Sequence, residues 1–129
     1  MSVSVDLKPM PDYLHATLSG DYTAADFNDA LSRVFDAAHE HRQVKLLIDC
    51  RGVTGGPTLE ERYGLGQFFA DMLLRDLAEG RSLGLSIAAI ATPPLAHPER
   101  IGIKHLVDRG LNVAIHETDE DARAWLGVV

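Results

Sequence analysis

The chain is poor in cysteine, in basic charge and in aromatic rings. A single cysteine, Cys50, stands among 129 residues. One thiol forms no intramolecular disulfide and suits a reducing compartment, so a cytoplasmic location is expected. Lys and Arg number 12 against 19 Asp and Glu, a formal net charge of −7. That excess of acid disfavours nucleic acid and anionic membranes, whose phosphates need a basic surface. No apolar run reaches the length of a membrane span. The longest, from Leu83 to Leu95, is short and contains Pro93 and Pro94. The start, MSVSVDLKPM, lacks the basic-then-apolar order of a secretory signal. What remains is 46% hydrophobic and 24% charged, the composition of one globular domain spanning residues 1–129.

Hydropathy periods place the elements. Val3, Val5 and Leu7 alternate with polar residues, and so do Leu14, Ala16 and Leu18. Period two marks two strands, close enough in sequence to form a hairpin. Thr23 opens a capping box, and Phe27, Leu31, Val34, Phe35 and Ala38 follow at helical spacing. The almost wholly apolar run 44–49 reads as a central strand covered on both faces. Residues 50–57 read as a glycine-rich turn. TLEE at 58–61 is a second capping box, opening a helix that carries Leu59, Tyr63, Gly66, Phe69, Met72, Leu73 and Leu77 and ends near Gly80. Residues 83–91 form another buried strand. Pro98 opens a third helix that Gly110 ends, 111–115 is a short strand, and TDED at 118–121 caps a last helix with Ala122, Trp125 and Leu126 as its apolar stripe. The order β-β-α-β-α-β-α-β-α implies an α/β fold: a five-stranded, mostly parallel sheet with an antiparallel N-terminal edge strand and four helices.

Catalytic patterns are weak. No Lys-Ser/Thr pair follows the glycines at 52–56, which excludes a P-loop. A nucleophilic role for Cys50 needs a positioned base, and the sequence sets none of His15, His97 or His105 beside it. The six histidines have no metal-ligand spacing. The acids at 60–61 and 119–121 sit in first helical turns, where capping and the helix dipole account for them. No enzyme, metal or cofactor is therefore expected. The helix from Thr58 also carries Leu65, Phe68 and Leu74, an apolar arc wide enough for two partners.

Order and spacing resemble the SpoIIAA-like (STAS/SEC14-like) family, related to anti-sigma-factor antagonist STAS domains. The resemblance rests on YLHATLSGDYTAADF, VKLLIDCRGVTG and NVAIHETDEDARAWL. It implies a β-α superhelix with an N-terminal antiparallel strand. STAS antagonists carry Asp-Ser-Ser-Gly after the third strand, and a kinase phosphorylates the second serine. Asp49 and Gly52 match; Cys50 and Arg51 replace both serines, so the resemblance does not carry the phosphoserine switch to this chain. Thr54 and Thr58 are the hydroxyls left in the turn.

The expectation is a non-enzymatic binding or regulatory module. Its contact surface is expected at Arg51, Gly52, Val53 and Thr54 of the turn and at Tyr63, Phe68, Phe69 and Met72 of the next helix. Arg51 is expected to be a surface group that meets a partner's acid, and whose loss leaves the fold nearly intact. The alternative, implied by the SEC14-like side of the resemblance, is a carrier or sensor of a small apolar ligand or lipid held between the second and third helices and the sheet. A homodimer through the second helix is a further expectation.

Overall fold

The computed structural model describes the backbone of residues 3–78, 85–96 and 112–128. Strands β1 (Ser4–Pro9) and β2 (Leu14–Asp21) form the expected antiparallel hairpin. Helix α1 (Ala24–Glu40) follows, with the Thr23 hydroxyl accepting the Asp26 amide at 3.2 Å. Next come β3 (Lys45–Thr54), α2 (Leu59–Ala78), β4 (Ser86–Ile90), β5 (Asn112–His116) and a short helix, α3 (Asp119–Leu126). The sheet runs in the order β1-β2-β3-β4-β5, antiparallel at β1–β2 and parallel elsewhere. Three of the four expected helices are described. The helix expected from Pro98, with His97 and His105, lies outside the described residues, as does the cap expected at Gly80.

Alternation along the strands sorts side chains to two faces. On one face Leu14, Ala16, Leu18, Leu46, Ile48 and Ile87 pack against Phe27, Val34 and Phe35 of α1 and Met72 of α2. On the other, Leu47, Ala88 and Ile90 pack against Ala122 and Leu126 of α3. The central strands are covered on both sides, which explains their unbroken apolar runs. Trp125 departs from its expected place in the α3 stripe. It is exposed and lies against the His116 ring, 5.7 Å between centroids, while Leu126 turns inward.

Candidate functional site

The expected turn at 51–54 is strand. β3 continues through Arg51, Gly52 and Val53 to Thr54 because a bulge absorbs the break in its pattern. Between Thr17↔Asp49 and Ser19↔Gly52, β2 advances two residues and β3 three. Cys50 and Arg51 together stand opposite Leu18. The extra residue resets the alternation, so Cys50 and Val53 both reach the apolar layer under α1 and α2. Pairing with β4 ends at Asp49↔Ile90, and among the described residues β2 is the one strand that pairs beyond it with β3.

Asp49 locks the bulge. Its Oδ1 accepts the Arg51 amide at 3.0 Å and Arg51 Nε at 2.9 Å, and its Oδ2 accepts Nη2 at 2.7 Å. A short acid bonding the amide two residues on is a turn-forming device placed here inside a strand. Burial pushes the Asp49 carboxyl up, but the hydrogen bonds and charge of Arg51 outweigh it, so Asp49 lies below the usual carboxylate range. His15 adds a smaller push in the same direction. Across the α3 face, Asp119 accepts Arg123 Nε at 2.6 Å, Arg123 donates to the Tyr13 hydroxyl, and the Asp119 charge also bears on Arg51. The sequence reading missed this group; the i, i+4 pair Asp119/Arg123 was its one legible sign.

Gly52 is a packing glycine. A Cβ there would stand 2.9 Å from the Ser19 Cβ and 3.2 Å from the Leu18 carbonyl oxygen. Thr54 is tied to the end of β2: its hydroxyl donates to Asp21 Oδ1 at 2.5 Å, and its carbonyl accepts the Tyr22 amide at 2.8 Å. The true turn is residues 55–57. Thr58 then forms both halves of the expected capping box, accepting the Glu61 amide at 3.1 Å and donating its own to Glu61 Oε1 at 2.9 Å. Arg62 fastens α2 to the loop after β4 through the carbonyls of Leu95 and Pro94, at 2.9 and 2.7 Å.

The eight expected contact residues divide. Arg51, Gly52, Thr54 and Tyr63 are exposed. Val53 and Met72 are buried in the core, which corrects their placement on a surface. Phe68 is half-buried against the same core. The Phe69 side chain lies outside what is described. Leu59 and Tyr63, at helical spacing at the start of α2, are 53% and 55% exposed. With Gln67 and Asp71 they form one ridge at intervals of four residues, extended by the Gln67–Asp71 hydrogen bond of 2.8 Å. Phe68 and Met72 define the opposite, inward row.

Cys50 faces the apolar layer under the helices, away from His15. Burial, and then the neighbouring Asp49 charge, push its thiol up to about 12. A thiol held protonated is a poor nucleophile. Iodoacetamide at pH 8 should leave Cys50 of the folded protein unmodified for hours and alkylate it promptly in denaturant. Prompt reaction of the folded protein would show a thiolate that this burial does not allow.

A mixed five-stranded sheet with an antiparallel N-terminal edge and helices on both faces defines a small α/β domain of the SpoIIAA-like class. Two solved structures share that architecture. An anti-sigma factor antagonist from Mycobacterium paratuberculosis is similar with a TM-score of 0.58 at 18% identity, over 98% of this chain and 95% of its own. An uncharacterized protein with a SpoIIAA-like fold from Shewanella loihica PV-4 is similar with a TM-score of 0.50 at 17% identity, over 97% and 93%. No family model and no curated protein matches the chain. The chain has the SpoIIAA-like fold that its sequence resembles. No helix among the described residues is long and apolar enough to cross a membrane.

Proposed function

We propose that this domain is a non-enzymatic regulatory module that binds a protein partner at the carboxyl end of β3 and the first turns of α2. One observation carries the reading: Leu59 and Tyr63 are both more than half exposed, one helical turn apart, at the start of the helix that follows β3. Adjacent large apolar side chains left in water mark an interaction surface more often than isolated ones do. Arg51 and Thr54 supply a polar margin. Two of the Arg51 nitrogens are engaged by Asp49, and among the described residues no hydrogen bond engages Nη1, which can meet a partner carboxylate. The anti-sigma factor antagonist among the similar structures supports a role exerted by binding another protein.

The test is affinity capture from cell extract with the wild-type domain, Leu59→Asp and Tyr63→Asp, followed by titration of the captured protein. Both substitutions lie on the exposed ridge and should leave the circular dichroism spectrum and melting unchanged. Each should weaken the partner about tenfold or more, the usual effect of removing an interface anchor. A partner held equally well by all three proteins would place the contact elsewhere.

A further inference from the structure

We propose that β1 is a self-complementary edge through which two copies of this chain join their sheets. The hydrogen-bond phase of β1 is set by its hairpin: the Met10 amide donates to the Tyr13 carbonyl at 2.8 Å, in register with Lys8↔His15, Asp6↔Thr17 and Ser4↔Ser19. Those residues turn their amides and carbonyls toward β2. Pairs alternate in an antiparallel ladder, so Val5 and Leu7 turn theirs outward. Pro9 occupies the next outward position, where a missing N–H costs no bond to β2. Among the described residues β1 is thus an open edge, with outward backbone groups at Val5 and Leu7.

The side chains of that edge read as their own complement. Take a two-fold axis at Leu7, with the second copy antiparallel. Leu7 then exchanges both backbone bonds with the partner's Leu7, and Val5 donates to the carbonyl of the partner's Pro9. Asp6 falls opposite the partner's Lys8, and Lys8 opposite the partner's Asp6. Asp6 and Lys8 sit at non-hydrogen-bonded positions of such a ladder, where opposing side chains approach most closely. Both are exposed, and neither takes part in a described ion pair. Leu7, 37% exposed, meets its own copy on the other face. The match is one of charge, apolar contact and backbone phase together, and it specifies the same patch on both subunits, as a closed dimer requires. The surface involved is small, so the dimer is a weak one that builds with concentration.

Sedimentation velocity from micromolar to near-millimolar protein tests this. The wild type should move from monomer to dimer. Lys8→Asp and Asp6→Lys each place like charges opposite one another, and each should raise the dissociation constant about tenfold or more. The double exchange Asp6→Lys with Lys8→Asp restores the complement and should restore the dimer. A mixture of the two single variants should form heterodimers that neither forms alone. Circular dichroism confirms that each variant folds. A wild type monomeric throughout the range overturns the proposal. So does a dimer indifferent to all three charge variants, the outcome if copies meet through Leu59 and Tyr63 instead.

Discussion

Replacing Gly56 by alanine should destabilise the fold by about 2 kcal/mol or more and displace the start of α2. A Cβ at position 56 would stand 2.3 Å from the Pro94 carbonyl oxygen, 2.6 Å from its carbonyl carbon and 2.9 Å from the Leu95 nitrogen. All three are backbone atoms, so no side chain can swing aside. The loop they belong to is also fixed from the other side, because Arg62 of α2 donates to the carbonyls of the same two residues. The methyl group therefore separates the turn of 55–57 from the loop after β4, or breaks the Arg62 bonds. Either response moves Leu59 and Tyr63, three and seven residues further on. Urea unfolding measures the loss. Gly64→Ala is the matching control: a Cβ there meets nothing within 4 Å, on an exposed helical position. That substitution should raise stability by about 0.5–1 kcal/mol through helix propensity and a stiffer unfolded chain. Equal effects at 56 and 64 would mean that the turn and the loop do not hold each other.

The hairpin, the capped helices and the parallel order were legible because each rests on a local period or a cap. Leu14, Ala16 and Leu18 alternate without interruption, and all three are fully buried. The end of β3 was hidden because its signal is non-local. Alternation breaks at Cys50–Arg51, and glycines follow, which in sequence looks like a turn. The strand persists because Gly52 fits against Ser19 and Asp49 bonds the Arg51 amide, neither of which a period reports. That Tyr63 and Met72 do not share a surface was within reach. Tyr63 and Met72 are nine residues apart, which at about 100° per residue sets them on opposite sides of a helix. They could not share one stripe, and the buried one is Met72. The network of Tyr13, Asp119, Arg123 and Arg51 joins elements from both ends of the chain, and only the assembled sheet brings them together.

Arg51→Ala should cost about 1–3 kcal/mol at neutral pH, although Arg51 is itself a surface residue. The reason is Asp49, whose side chain is 12% exposed while that of Arg51 is 53% exposed. Removing the guanidinium strands a nearly buried carboxylate with one amide donor left, and leaving a buried charge unpaired costs more than the pair itself is worth. pH supplies a signature that packing loss would not. In the wild type the folded Asp49 titrates below its unfolded value. Its contribution is therefore fully present above the unfolded carboxylate value of about 4 and is lost as pH falls through the folded one. In Arg51→Ala, burial still pushes Asp49 up and the guanidinium no longer opposes it. The deficit of the variant should be largest at pH 7 and should shrink as pH falls, because the carboxyl of the variant takes up its proton first and that of the wild type only further down. Asp49→Asn tests the same point from the other side: added to Arg51→Ala, it should recover part of the loss at pH 7. A deficit independent of pH would assign Arg51 to the shape of the bulge and not to its charge. Arg51 thus both offers a contact and holds the strand that presents it. A binding defect in Arg51→Ala mixes the two effects, whereas a defect in Leu59→Asp or Tyr63→Asp, with melting unchanged, reports the surface alone.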